Sequence, residues 1–408
     1  MQLPGADSVV LRHGDVGVKS ANVRHNMERQ LRANVAALLD DRGIDGTVER
    51  EWGRIIIRTG ETSDPEPTTE AATEAATDAF GVVSASPARS IGSTREEIVN
   101  RLVEIAEETY HGGTFAVRAR RNGDHPFTST EIEREAGAAI WDAVEDRFEP
   151  EVDLDDPDHR FSLEIREDET FVFLESHDGP GGLPLGTQEP LLAMVSGGHD
   201  SPVAAWLAMR RGSPIIPLYI DFEEYGGADH RARAFEVIRT LSRYAPNQNM
   251  DVRVLSAGDV ANELVESLTR TRMLSLRRYM FRAAEVVARE EGAIGIITGE
   301  AVGQKSSQTA ANLAATDAVT DLPIHRPLFA WDKQEIIDRA RELGTYEGST
   351  IPAGCNRIAP SGPATRARLE DVIEAEPDDL LERAEEAARN VEVVSIDPVK
   401  PVDPAPVR

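Results

Sequence analysis

The sequence predicts an α/β fold in which a smaller α+β region precedes a doubly wound parallel sheet. Three observations predict it. From residue 191 onward, strand-length apolar runs alternate with helix-spaced segments, the pattern of a sheet with crossover helices. The first of those runs, Leu191 to Val195, stops at Ser196-Gly197-Gly198-His199-Asp200-Ser201 and passes into a helix opened by Pro202 and closed by Arg210, Arg211 and Gly212, the expected asymmetry of helix ends. Before residue 178, strands and helices also mix, but strands come in pairs about short turns.

Composition bounds the rest. A chain of 408 residues is long enough for two or three domains. It carries 72 Asp plus Glu against 44 Lys plus Arg, a net charge of -28. Only Lys19, Lys305, Lys333 and Lys400 are lysines. Lysine depletion with surplus carboxylates is the composition expected of a cytoplasmic protein from a salt-loving organism, where screening makes self-repulsion tolerable. No run of 18 apolar residues and no N-terminal signal pattern occurs, so neither a membrane span nor export is expected. A single cysteine, Cys355, excludes an intrachain disulfide, a Cys-rich zinc site and a chain-internal iron-sulfur cluster. The nine histidines show no metal-ligand spacing, and no metal-ligating residue is assigned.

Ser8 to His13 is strand-like, and a glycine-punctuated loop follows it. Between Arg24 and Asp41, apolar residues at Met27, Leu31, Val35, Leu38 and Leu39 have helix spacing. Gly43 stops that helix, and Gly46 to Glu51 and Gly53 to Thr59 form two strands about a turn. Strand, helix, strand, strand is half of a ferredoxin-like arrangement, assigned to residues 1–62. Glu61 to Asp78, rich in Thr, Glu, Ala and Pro, is expected to be a linker.

A second α+β domain is expected over 63–178, with helices from Thr94 to Tyr110 and Ser129 to Phe148 and an alternating strand, Thr114 to Arg121. Arg118, Arg120 and Arg121 form a basic island there. Arg118 and Arg120 share one sheet face, because strand side chains alternate. They are either a solvated face or a contact for RNA phosphates. The large domain is placed at 179–390, beyond a Gly/Pro hinge at Asp178 to Gly186. Its strands should be Leu191 to Val195, Pro214 to Asp221, Met250 to Ser256, Ala293 to Gly299 and Ile324 to Leu328. Such a sheet holds its ligand at the carboxyl ends of the strands. Arg270, Arg272, Arg277, Arg278 and Arg282 make the densest positive run in the chain, and residues 391–408 are assigned to a disordered tail.

Four stretches carry chemistry. In Val195 to Ser201, two glycines and two serines lie where backbone N–H groups converge at a helix's positive end, a geometry that binds phosphate. No lysine sits in this loop, so it is not the GxxxxGK[ST] nucleotide loop. The alternative is a plain turn. Thr298 to Asn312, including Gly299, Lys305 and Gln308, leaves the carboxyl end of a buried strand and offers donors to nucleotide or substrate oxygens, or is a polar surface loop. Lys333 opens a helix, where negative charge is ordinarily preferred. It either neutralises charge developing on a phosphate or is an exposed lysine. Cys355 has loop formers and cations around it, which favours thiolate, although a lone cysteine is often a small buried hydrophobe.

Taken together, SGGHDSPVAAWLAMRRG, LRHGDVGVKSANVR, FGVVSASPA, TFAVRARR, TGEAVGQKSSQTAANL and HRPLFAWDKQEIIDRARELGT, in this chain's order along with Cys355, resemble the ThiI family of tRNA 4-thiouridine synthases. The resemblance implies a ferredoxin-like domain, a THUMP domain that helps dock tRNA, and a PP-loop ATP pyrophosphatase domain holding Mg2+ and ATP. It also implies a homodimer. Asp200 matches the PP-loop aspartate, Lys333 the catalytic lysine and Cys355 the PP-loop-domain cysteine. Val195, Ser196, Gly197, Gly198, Ser201, Gly299 and Gln308 are the residues expected at the nucleotide. The implied reaction adenylates O4 of uridine 8 and then replaces that oxygen with sulfur. This sequence shows neither a rhodanese domain nor a three-cysteine site, so the expected donor is a persulfide or thiocarboxylate carrier protein, or free sulfide. Sulfur transfer toward the thiazole of thiamine, or tRNA binding without catalysis, are the rival expectations.

Overall fold

The computed structural model describes residues 3–14, 20–51, 53–347 and 355–396. It divides into two compact units, Met1–Pro184 and Leu185–Arg408.

The first unit opens with β1 (Ser8–His13), α1 (Ala21–Asp41), β2 (Thr47–Glu51), β3 (Arg54–Arg58), α2 (Pro65–Ala76) and β4 (Val82–Ile91). That is a complete ferredoxin-like βαββαβ order rather than half of one. The expected linker is largely α2, and the boundary placed at residue 62 separates this helix from the core it completes. Two properties hid the helix. Its buried face is Thr69, Ala72, Thr73, Ala75 and Ala76, too weakly apolar for a periodicity signal. Pro65 reads as a loop former, yet it occupies the first helical turn, where a missing N–H costs nothing. Thr69 and Thr73 become buriable by donating their hydroxyls to the Pro65 and Thr69 carbonyls, each at 2.7 Å.

The unit continues with α3 (Arg95–Thr109), β5 (Thr114–Arg121), α4 (Ser129–Val144), β6 (Glu151–Val152), β7 (His159–Ile165), β8 (Thr170–Phe173) and β9 (His177–Asp178). Helix α4 starts where its sequence says it should. Thr128 Oγ1 accepts from the Glu131 N–H at 3.2 Å while the Glu131 carboxylate accepts from the Thr128 N–H at 2.7 Å. Among the described residues, nine strands form one sheet in the order β2-β3-β1-β4-β8-β7-β5-β6, with β9 also on β4. Val9, Leu11, Ile55 and Ile57 face α1 and α2, and Phe115, Val117, Phe161 and Leu163 face α3 and α4. The opposite sheet face holds a small apolar patch, Val10, Ile56, Ala88 and Phe171, surrounded by charge. Glu164, 3% exposed, is paired there with Arg54 at 3.0 Å, Arg12 at 3.4 Å and Arg166.

The second unit contains β10 (Leu191–Met194), α5 (Asp200–Arg210), β11 (Ile215–Asp221), α6 (Ala228–Ser242), β12 (Val252–Ser256), α7 (Gly258–Ser267), α8 (Arg272–Glu290), β13 (Ile296–Ile297), α9 (Ala310–Asp317), β14 (Ile324–His325), α10 (Lys333–Glu342), α11 (Cys355–Ile358), α12 (Leu369–Ala375), α13 (Leu380–Arg389) and β15 (Glu392–Val394). The sheet order is β14-β13-β10-β11-β12-β15. All neighbours are parallel except the last pair. Strand order therefore reverses between β10 and β13, which is where a doubly wound sheet opens a crevice.

Two expectations fail here. The assigned tail begins inside the fold: Val394, Val393 and Glu392 pair with Val252, Arg253 and Val254, and Ile396 is buried. Residues 397–408 lie outside the described residues. The arginine run on α8 is also no open positive patch. Arg278 donates to Glu376 at 2.7 Å, Arg282 to Glu385 at 3.0 Å, and Arg272 to the Leu268 and Ile358 carbonyls at 2.9 and 3.0 Å. Glu376, Glu385 and Ile358 lie 86 or more residues from their arginines and so leave no local signal. No helix among the described residues is long and apolar enough to cross a membrane.

Candidate active site

At the β10–β13 reversal the phosphate loop turns around one hydroxyl. Ser201 Oγ accepts from the Ser196 N–H at 2.9 Å and lies 3.2 Å from Ser196 Oγ, which accepts from the Gly198 N–H at 3.3 Å. The two serines thus set the loop's curvature, and the first-turn N–H groups of α5 point out of it without helical partners. Glycine is needed for contact, not for turning. A Cβ on Gly299 would sit 2.6 Å from the Ser201 nitrogen, and one on Gly197 would sit 3.1 Å from the His230 carbonyl oxygen.

Above the loop lies a cavity with two kinds of wall. Leu218, Ile220, Phe222, Leu276 and Met280 make an apolar slot. Ser196, Asp200, Thr298, Lys305 and Gln308 make the polar side. On lining residues, the buried atoms His230 Nε2 and Gln308 Oε1 make no hydrogen bond and no ion pair within the described residues. Buried polar atoms are nearly always satisfied, so two bare ones in one cavity mark a place completed by a ligand. Burial pushes the Asp200 carboxyl pKa upward, against the pull of His199, Lys305 and Lys333. His199 Nε2 is 3.3 Å from Asp200 Oδ1. Both lysines among the described residues therefore act on one carboxylate.

Of the residues expected at the nucleotide, Val195, Ser196, Gly198, Asp200, Ser201, Gly299 and Gln308 line this cavity. Gly197 instead backs the loop onto α6. Lys333 is exposed at the first position of α10, outside the cavity wall, with the Glu335 carboxylate accepting from the preceding Asp332 N–H at 2.7 Å. Cys355 begins α11, but its side chain lies outside the described residues. That helix is anchored by Ile358 in the core, and the following segment is tied to the Thr298–Asn312 loop. Asn312, fully buried, donates to the Ser306 and Ala364 carbonyls at 2.7 and 2.8 Å and accepts from the Ala367 N–H at 3.0 Å.

Sequence reasoning missed three contributors. Glu300, 2% exposed, pairs with Arg277 in the cavity wall and with Arg326 at 2.9 Å, and Arg326 pairs with Asp317 at 2.6 Å. Arg277 was hidden in the α8 run. His230 had no signal. In the first unit, Arg118 and Arg120 line a polar groove with Arg12 and Arg160 on the helix-free sheet face. Arg121 is exposed, does not line that groove, and donates to the His125 carbonyl at 3.4 Å. Among the described residues no group of three or more His, Cys, Asp or Glu is placed to hold a metal.

Known proteins match most of the chain. Residues 186–380 match the family described as thiamine biosynthesis protein (ThiI), residues 92–175 the THUMP domain and residues 8–86 the ThiI ferredoxin-like domain. A protein of Halobacterium salinarum named probable tRNA sulfurtransferase is 56% identical over 96% of this chain and 98% of its own length. One of the same name from Methanosarcina acetivorans is 41% identical over 90% and 88%. A 4-thiouridine synthetase solved with RNA and bound ATP superposes with a TM-score of 0.80 at 29% identity, covering 96% of this chain and 100% of that one. With its ferredoxin-like, THUMP and PP-loop parts in sequence, the chain belongs to the ThiI family of tRNA sulfurtransferases.

Proposed function

We propose that the chain is an ATP-dependent tRNA uridine 4-sulfurtransferase, which adenylates O4 of uridine 8 and replaces that oxygen with sulfur to give 4-thiouridine. The observation that carries this reading is the cavity at the strand reversal, where a phosphate loop, an apolar slot and the bare buried atoms His230 Nε2 and Gln308 Oε1 meet. The slot takes the adenine ring. Gln308 Oε1 accepts from a nucleotide donor, and the α5 N-terminus takes the pyrophosphate end. Arg277, held by Glu300, adds a fixed cation to the wall.

In the first step O4 attacks the α-phosphorus, the α–β bridging bond breaks, and its electron pair leaves on pyrophosphate. Lys333 stabilises the charge that builds on the α-phosphate. Asp200 fits magnesium, which needs only one or two protein carboxylates when phosphates supply the other oxygens. When bound, that ion supplies positive charge to the phosphate chain. In the second step sulfur attacks C4 and AMP departs. Cys355 carries that sulfur as a persulfide, formed when its thiolate attacks the outer sulfur of a carrier protein's persulfide and displaces the carrier's thiolate. After the outer sulfur has attacked C4, an external thiol cleaves the resulting disulfide and frees the product. Free sulfide, as the alternative donor, attacks C4 directly and bypasses Cys355. Arg118, Arg120 and Arg121 meet tRNA phosphates, the enzyme works as a homodimer, and it resides in the cytoplasm.

The test is an assay of the purified chain with magnesium, ATP and unmodified tRNA transcript. Pyrophosphate formed only with tRNA is expected, with AMP released and 4-thiouridine found by nucleoside mass spectrometry once sulfide is supplied. Formation of ADP, or nucleotide left intact, would overturn the reading.

A further inference from the structure

His230 stands in the first turn of α6, is 5% exposed, and lines the active-site cavity. Its ring lies against the phosphate loop: a Cβ built on Gly197 would be 3.5 Å from His230 Cδ2, the carbon bonded to Nε2. The other ring nitrogen, Nδ1, is 3.3 Å from the hydroxyl of Tyr219, a residue buried in β11. Nε2 itself is buried and makes no hydrogen bond within the described residues. One nitrogen is thus engaged and oriented, while its partner is bare and directed at the loop that cradles phosphate. Leaving a buried polar atom bare is costly unless a ligand completes it.

The tautomer follows from what phosphate can do. A phosphate oxygen ionised at neutral pH only accepts, so both ring nitrogens are satisfied when Tyr219 donates to Nδ1 and the imidazole carries its own proton on Nε2. Burial, with the neighbouring Arg233 cation, lowers the imidazole pKa and keeps the free enzyme's ring neutral. We propose that His230 Nε2–H donates to an oxygen of the pyrophosphate half of ATP, holding the leaving group of the adenylation step, with Tyr219 as its positioning residue. This rests on the function proposed above. As the α–β bond breaks, its electron pair stays on pyrophosphate, and a donor already fixed at that end binds more tightly as the charge grows. No proton changes hands.

The experiment is titration of the full chain with ATP, inorganic pyrophosphate and AMP, using wild type and His230→Ala, His230→Gln and His230→Asn. A hydrogen bond to a charged group implies about a tenfold loss of ATP and pyrophosphate affinity in His230→Ala, with AMP affinity unchanged. The glutamine amide reaches the position of Nε2 and restores most of the loss, whereas the asparagine amide reaches only the position of Nδ1 and does not. Tyr219→Phe falls between. Unfolding midpoints of the unliganded variants separate lost contact from lost fold, and the comparison of glutamine with asparagine stands even if alanine fails to fold. Equal loss for AMP, no loss for pyrophosphate, or asparagine matching glutamine would overturn the assignment. Wild-type protein that binds neither ATP nor pyrophosphate would instead sink the proposed function.

Discussion

On the helix-free sheet face of the first unit, Glu164 is almost wholly buried and closed in by Arg12, Arg54 and Arg166. At the phosphate loop of the second, Asp200 is half-buried, its carboxyl shifted upward by burial, and Lys305 and Lys333 form no salt bridge among the described residues. Both regions gather opposite charges, yet only one neutralises them by contact. Burial also pushes the Glu164 carboxyl upward, but the charges of Arg54, Arg166 and Arg12 outweigh it and the net direction is down. At Asp200 the cations stand farther off and burial wins. A closed cluster stabilises a fold, whereas an open one with bare buried atoms awaits a ligand.

The contrast breaks most visibly at Lys333. Lys333→Ala should lower tRNA-dependent pyrophosphate release by about a thousandfold, the scale for removing a group that stabilises transition-state charge, with an unchanged melting curve. Retained turnover would place Lys333 outside the chemistry. Glu164→Gln should do the reverse, costing about 3 kcal/mol of stability, as removal of one partner from a buried ion cluster does, while leaving nucleotide binding intact in the isothermal titration. The same cluster sets a pH signature. Because the folded Glu164 pKa lies below its ordinary value of 4.5, its stabilising contribution is fully present above that pH and is lost as pH falls through the folded value. In a chemical-denaturation series, Glu164→Gln should flatten that acid limb.

Gly299→Ala sharpens the contrast from the steric side. Its Cβ would meet the Ser201 backbone at 2.6 Å, so the loop must move, and ATP affinity should fall about tenfold or more, the scale of one lost hydrogen bond to a charged group. Unchanged binding would show that the loop tolerates displacement. The smallest effect is expected at Arg118→Glu with Arg120→Glu, a few-fold loss of tRNA affinity in molar KCl, where only near contacts survive a Debye length of about 3 Å. Equal affinity there would remove the groove from RNA binding.

What the sequence disclosed was local. Strand, loop and helix around Ser196 to Ser201 are contiguous, so spacing and end residues sufficed to place them. The helix over Pro65–Ala76 escaped because alanine and back-bonded threonine pack without an apolar signature. Glu300 with Arg277, Glu164 with its arginines, and β15 beside β12 escaped because each pairing spans a long stretch of chain. His230 escaped for a different reason: a histidine's meaning lies in which of its nitrogens is left bare, and only coordinates disclose that.

Strand β4 runs for ten residues with β1 along one edge and β8 and β9 along the other, while the ferredoxin-like match ends at residue 86 and the THUMP match starts at 92. The joint between two named modules is therefore a single extended rod of backbone, with no loop in which a pivot could form. Displacing one lobe against its neighbour would break amide ladders along this rod, so the pair shares one stiff frame.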